Sequence, residues 1–328
     1  MKAAFRVFTF SSIVSLCQAQ SAKNAPTSTS GFQEELNYRV LFETDSGPQR
    51  LEPLCAALSY FIKLAPTGEL QLDHILKQRA SEGHWIPQSG KPRFYPNNFT
   101  VINDLYISES TSKSPYGGFK FPRFGETLWD SYRSNAQRMS GAIGEHAIKA
   151  LGGQRPKLIL EAGSFIGSGA LHAWQPLLDP AGGILICIDS WLGDINMRLG
   201  KHFQRWMALE NGFPSLGKVF MARVLASGHS DKVFPLSVPA MLGFKLIYLL
   251  GYRVDLIYVD SAHERGETLF ETYMAWELLR PGGVLMGDDY KGFPAVKRDI
   301  DLFAKCVGLT LTFLPDGNTW MLVKPSGL

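Results

Sequence analysis

The chain has 328 residues, 45% of them hydrophobic and 19% charged, a composition that excludes a disordered or collagen-like polypeptide. At about 150 residues per domain the length allows two domains, or one α/β domain with an extension; no apolar run of about 18 residues follows the N-terminus, so a multi-span membrane protein is excluded. The net charge of +3 is carried by the first 33 residues, where Lys2, Arg6 and Lys23 stand without an acid. The balanced remainder offers no broad basic surface and argues against a nucleic-acid partner.

Residues 1–20 combine a basic start, an apolar stretch from Val7 to Cys17 and a small-residue region at Ala19. That is the layout of a secretory signal peptide cut near Ala19, which sends the chain to the secretory pathway or outside the cell. The lack of acids, Arg6 and the serine-rich flanks also suit an organellar transit peptide. Residues 21–33 read as a linker, and Asn98-Phe99-Thr100 is a glycosylation sequon on the secretory route. Cys17 leaves with such a leader. Cys55, Cys187 and Cys306 are expected to form neither a disulfide framework nor a zinc pattern, and Cys187, inside an apolar run, reads as a small buried hydrophobe.

Leu51, Leu54, Leu58, Phe61 and Leu64 recur at helical spacing, followed by a shorter pattern of Leu70, Leu72, Ile75 and Leu76. Residues 83–124 are rich in Pro, Gly, Asn and Ser with scattered aromatics. Residues 34–125 are therefore expected to be a mainly helical and irregular N-terminal extension, either capping a site or covering a sheet face. A long helix is predicted over 126–151, stopped by Gly152-Gly153. Beyond it, continuously apolar strands at 158–160, 184–188, 233–236, 254–259 and 284–286 alternate with helical patterns, the pattern of a parallel sheet buried on both faces. Between the last two, Leu269, Tyr273 and Trp276 share a helix face, with Pro281-Gly282-Gly283 predicted to end that helix. Residues 310–314, a Pro315-Asp316-Gly317-Asn318 turn and 319–323 read as a hairpin. The expected fold is α/β: a Rossmann-like, doubly wound, mostly parallel sheet ending in an antiparallel hairpin over residues 126–328.

In such a sheet ligands bind beyond the carboxyl ends of the strands. The first strand runs into Glu161-Ala162-Gly163-Ser164-Phe165-Ile166-Gly167, whose glycines let the backbone turn sharply against a ligand. The spacing differs from the G-x-G-x-x-G of pyrophosphate binders. The second strand ends at Asp189-Ser190-Trp191. Asp189 can accept hydrogen bonds from ribose hydroxyls or cap a helix, and Trp191 can stack on an adenine ring or fill the core. Asp260 and the pair Asp288-Asp289 end the fourth and fifth strands. If those strands are neighbours, three carboxylates crowd together, an oxygen set suited to Mg²⁺; the alternative is that Asp288-Asp289 only form a turn. His263, three residues beyond Asp260, can take a substrate proton there or simply open a helix.

Four runs in order then resemble class I S-adenosylmethionine-dependent methyltransferases: 158–164 with Gly167, 188–194, 255–263 and 278–290. Their combination is similar to the small-molecule O-methyltransferase branch that includes macrocin- and caffeoyl-CoA-type enzymes and cephalosporin-hydroxylase-like proteins, and it covers 126–328. The resemblance implies that S-adenosylmethionine is the cofactor. It implies that Glu161, Gly163, Ser164 and Gly167 face the methionine end, with Asp189, Ser190 and Trp191 at the nucleoside. It further implies that Asp260, Asp288 and Asp289 bind a divalent cation, Mg²⁺ by chemistry, and that His263 with Asp260 acts on the acceptor oxygen. Gly169 departs from the family, where Ser or Thr is frequent; Ser168 is the neighbouring hydroxyl. The implied acceptor is a hydroxylated small molecule such as a sugar, phenol or other natural product, with room for a homo-oligomer. The alternatives are a non-catalytic nucleoside-binding scaffold of the same fold and a Rossmann oxidoreductase, against which the spacing at Gly163 and the terminal hairpin argue.

Overall fold

Five short apolar runs become adjacent parallel strands in the computed structural model, which describes residues 105–106, 114–121, 141–200, 206–207 and 209–326. The leader, the linker, the two helical patterns at 51–64 and 70–76 and the sequon at Asn98 lie outside the described residues. In chain order the elements are α1 (Gly141–Ala150), β1 (Leu158–Ala162), a π-helical turn (Ala170–Trp174), β2 (Ile184–Ile188), α2 (Ile195–Leu199) and α3 (Leu216–Ser227). Then follow β3 (Val233–Leu236), α4 (Ala240–Leu249), β4 (Val254–Val259), α5 (Glu267–Leu278), β5 (Leu279–Gly287), α6 (Pro294–Val307), β6 (Thr312–Phe313) and β7 (Trp320–Val323). No helix among the described residues is long and apolar enough to cross a membrane.

The sheet order is β3-β2-β1-β4-β5-β7-β6. The order reverses between β1 and β4, and loops on either side of such a switch point diverge to leave a crevice. The strands β1 to β4 are buried at every position, which requires cover on both faces. On one face Ile159, Cys187, Tyr258 and Met286 pack with Ala147 of α1, Trp174 of the π-helical turn and Phe220 of α3. On the other, α4 lies so close to β2 that a Cβ on Gly243 would meet Ile188 at 2.4 Å, and α5 packs between α4 and α6. The hairpin closes the far edge, but β7 rather than β6 pairs with β5, antiparallel, from Val284↔Val323 to Gly287↔Trp320.

Two expectations are corrected. Helix α5 stops at Leu278, and Pro281-Gly282-Gly283 belong to β5. They bulge out between the pairs Val254↔Leu279 and Leu256↔Val284, and Lys324 holds them in the sheet: Gly282 N donates to its carbonyl at 2.8 Å and its own N–H donates to Gly283 O at 2.9 Å. The glycine at 282, at φ 73°, allows a bend that a side chain resists. Cys187 is the buried free thiol expected, but Cys306 is disulfide-bonded. The helix stop at Gly152-Gly153 is present, with φ of 68° and 83° and Gly153 N bonded to Ile148 O at 2.9 Å.

Both ends of the sheet carry buried polar anchoring. At the amino edge Asp255 accepts from Lys157 N at 2.8 Å and Leu158 N at 3.0 Å and pairs with Arg280 Nε, tying the starts of β1, β4 and β5 together. At the β3 edge the extension contributes two tyrosines. Tyr116 donates to Val233 O at 2.6 Å and Tyr106 donates to Pro235 O.

Candidate functional site

At the carboxyl edge, the loop after β1 is folded tightly against its neighbours. Gly163 sits at φ 86°, and a Cβ there would lie 1.8 Å from the Asp260 carbonyl oxygen, so no other residue fits this approach of β1 to β4. Its N–H donates to Ile188 O at 2.9 Å, and Asp260 N donates to Ala162 O at 2.9 Å. Further along, buried Arg223 of α3 donates to Ile166 O at 2.7 Å and to Ser168 Oγ at 3.2 Å. Ser168 is thus committed to the loop's own scaffold.

Glu161 is 3% exposed. Its Oε1 accepts from Trp174 Nε1 at 2.8 Å, and Oε2 faces the Cys187 thiol at 3.8 Å. Burial raises its pKa to about 7 against the lowering effect of Ser164, Trp174 and Cys187. The absence of a hydroxyl residue at 169 now has a local cause: a Cβ on Gly169 would lie 2.2 Å from Glu161 Oε1, in the space the carboxylate fills.

Asp189 uses both oxygens on backbone, accepting from Phe165 N at 2.8 Å and Trp191 N at 2.6 Å. It therefore clasps the loops after β1 and β2, and burial lifts its pKa to about 6 despite those two hydrogen bonds. Ser190 Oγ accepts from Leu192 N at 3.3 Å. Trp191 is 6% exposed; its indole donates to Phe165 O at 2.6 Å and packs on Phe220 at 4.9 Å. The indole is a core residue and no platform for a base.

The loops after β4 and β5 meet because those strands pair in parallel, Val259 opposite Gly287. Asp260, His263 and Asp289 each present a ligand-type atom within 4.8 Å of the others. His263 is the link: Nδ1 lies 2.8 Å from Asp194 Oδ2 and Nε2 2.8 Å from Asp289 Oδ2. Burial works against its charge, but the two carboxylates prevail and hold its pKa at about 10. His263 is thus an imidazolium with both N–H groups donated, and in this arrangement it is no proton acceptor, contrary to the role expected from its position. Burial, then Asp288 and Asp289, push the Asp260 carboxyl well above the ordinary range.

Asp288 departs from the expected trio. Asp289 adopts φ 64° and turns to His263, while Asp288 Oδ1 accepts from Asn318 Nδ2 at 2.7 Å. The hairpin turn thus engages one Asp288 oxygen, while its charge still bears on Asp260. Non-glycine residues in the left-handed region are costly and concentrate at functional sites. Of the four described, Phe165, Trp191 and Asp289 all lie in these loops. Sequence reasoning gave no role to Asp194, Asn318 or Trp174. Asp194 was detectable as the N-cap of α2, accepting from Met197 N at 2.7 Å; its reach to His263 was not.

Beneath the cluster, Tyr258 is 1% exposed and its hydroxyl has no hydrogen-bond partner among the described residues. A cavity of about 400 Å³ opens on His263, lined also by Glu264, Arg265, Phe293, Pro294, Ala295 and Arg298. The Phe293 ring lies 4.3 Å from the His263 ring.

Residues 160–290 match the family of methyltransferase domains, Methyltransf_24. No curated protein matches the chain. Among solved structures, the O-methyltransferase TomG from Streptomyces achromogenes, in complex with S-adenosylmethionine, is similar at 19% identity and a TM-score of 0.41, over 62% of this chain and 91% of that one. The O-methyltransferase from Bacillus cereus, in complex with S-adenosylhomocysteine, is similar at 16% identity and 0.41, over 62% and 92%. The Podospora anserina methyltransferase PaMTH1 follows at 15% and 0.36, over 62% and 98%. At such scores these likenesses add nothing to the topology described above. The matched segment covers less than half of the chain, but it holds every candidate site residue and the loops after β1, β2, β4 and β5 of the Rossmann-like sheet.

Proposed function

We propose that the chain transfers a methyl group from S-adenosylmethionine to a hydroxyl oxygen of a small molecule, assisted by a divalent cation such as Mg²⁺. The observation that carries the reading is the methyltransferase match over the loops at the sheet's carboxyl edge. The donor set fits a hard divalent ion: two carboxylates and one imidazole within 4.8 Å, above an orphaned tyrosine hydroxyl. Asp260 and Asp289 would hold the ion, joined by His263 on loss of the ring proton it shares with Asp289, and the ion supplies Lewis acidity toward the acceptor hydroxyl when bound.

Toward the cofactor, Asp189 retains lone pairs beyond its two amide bonds for ribose hydroxyls, and Gly163 keeps the β1 loop close enough to β4 for one ligand to touch both. Toward the acceptor, Asp260 takes the hydroxyl proton as the oxygen displaces S-adenosylhomocysteine from the methyl carbon. His263 orients this edge by holding Asp194 and Asp289 at once, and positioning of this kind supplies much of the rate in a direct transfer. Residues 1–20 we read as a secretory leader; the disulfide at Cys306 supports an oxidising route, where such bonds persist.

The test is calorimetric titration with S-adenosylmethionine, followed by mass spectrometry of hydroxylated acceptors with and without EDTA. Saturable binding and methylation of an acceptor that EDTA suppresses are expected. Binding with no transfer to any acceptor would leave the non-catalytic scaffold, and absence of binding refutes the proposal.

A further inference from the structure

The cavity on His263 has a composition that the methyl-transfer reading does not use. Two guanidiniums, Arg265 and Arg298, line it against a single carboxylate, the exposed Glu264. Arg265 makes no hydrogen bond or close salt bridge with any described residue and acts on Asp299 only through its charge. Arg298 spends only Nη1, on Asp299 Oδ1 at 3.3 Å. Asp299 itself is fully buried and committed elsewhere, accepting from Gly266 N at 2.6 Å and Leu269 N at 3.3 Å at the start of α5. It engages one nitrogen of the Arg298 guanidinium and leaves that group's remaining N–H donors without a hydrogen bond to any described residue.

The cavity also meets the first turn of α6, a helix of 14 residues, at Pro294 and Ala295. First-turn amides lack intrahelical partners, and a helix N-terminus favours negative charge. Guanidiniums bind carboxylates and phosphates through paired N–H groups in a way that neutral ligands cannot match. A volume of about 400 Å³ suits a small organic molecule. Its wall at His263 is one residue away from Asp260 and Asp289 across the cluster.

We propose that this cavity binds the acceptor and that the acceptor carries an anionic group, a carboxylate or a phosphate, gripped by Arg298 and Arg265 while its hydroxyl lies toward Asp260. This rests on the methyltransferase reading for the identity of the ligand as acceptor; the anion site itself rests on the two arginines. Phe293, one face of which is occupied by His263, gives the ligand an apolar wall, so the fitting acceptor is a hydroxylated aromatic or similarly flat acid.

The experiment titrates the full chain with benzoate, phenyl phosphate and the neutral benzamide by calorimetry, and with S-adenosylmethionine in parallel. At least one anion should bind at least tenfold more tightly than benzamide, about 1.4 kcal/mol, and whichever anion does so identifies the group. Arg298→Gln and Arg265→Gln should each erode that preference while leaving S-adenosylmethionine affinity unchanged. If Arg298→Gln unfolds because Asp299 loses its partner, Arg265→Gln, at an exposed position, carries the test alone. Equal binding of anions and benzamide, or a preference that survives Arg265→Gln, overturns the proposal. Arginine-dependent anion binding without S-adenosylmethionine binding would sink the methyltransferase reading and leave the anion site standing.

Discussion

Glu271 offers the clearest link between burial and stability. It lies on α5, 7% exposed, and its Oε2 accepts from Ser261 Oγ at 2.5 Å. Burial raises its pKa from 4.5 to about 7, more than the Ser261 hydrogen bond lowers it. An acid whose pKa is higher folded than unfolded binds its proton more tightly in the native state. Stability therefore falls as pH rises from about 4.5 to about 7, and the loss is complete above that. At about 1.4 kcal/mol per pH unit the full loss is about 3 kcal/mol. Glu271→Gln keeps a carbonyl to accept from Ser261 and removes the buried charge. Urea denaturation should show the variant about 3 kcal/mol more stable than the wild type at pH 8 and nearly equal to it at pH 4. A difference between the two proteins that does not change with pH would refute the burial argument.

Asp255→Ala, at the opposite edge of the sheet, removes three hydrogen bonds and strands Arg280; a cost of about 3 to 5 kcal/mol is expected in the same assay, with S-adenosylmethionine affinity untouched in the folded fraction, and a loss below about 1 kcal/mol would contradict it. Asp189→Ala should weaken S-adenosylmethionine binding by at least tenfold, about 1.4 kcal/mol; an unchanged dissociation constant in a folded variant removes Asp189 from the site. Mg²⁺ at a hundredfold excess over its dissociation constant should add about 2.7 kcal/mol of stability to the wild type and to Asp288→Asn, and nothing to Asp289→Asn. Scanning calorimetry in which Asp288→Asn alone loses the effect would return Asp288 to the metal site.

The central sheet was legible because its strands are buried on both faces. The runs at 184–188, 233–236 and 254–259 are continuous apolar stretches, and their ends coincide with the strands observed. The fifth strand was read too short because Pro281-Gly282-Gly283 carries the local signal of a break, whereas its pairing comes from Lys324, some forty residues away. Local pattern reports what a segment prefers and is silent on such distant partners. The same limit applies at the site. Asp260 and Asp289 could be placed together from strand order, but the turn of Asp289 toward His263 depends on a left-handed backbone, and the engagement of Asp288 depends on Asn318. The imidazolium state of His263 depends on Asp194, 69 residues away. Trp191 fits either a stacking platform or the core, and only packing against Phe220 decides between them.

The two rims of the sheet constrain how the molecule can meet another copy of itself. On β3 the outward carbonyls of Val233 and Pro235 are occupied by tyrosine hydroxyls, Val233 N is bonded to His229 O, and Pro235 has no N–H to offer. On the far side β6 has only two residues. Neither rim offers a strand the ladder of free donors and acceptors that edge-to-edge growth requires. A self-associating form of this chain is thereby directed to its helices and loops and away from the two rims of the sheet described. Trimming the chain back to residue 126 would strip both tyrosines from β3 and leave two bare carbonyls facing solvent, so the shortened protein should be the more prone to clump.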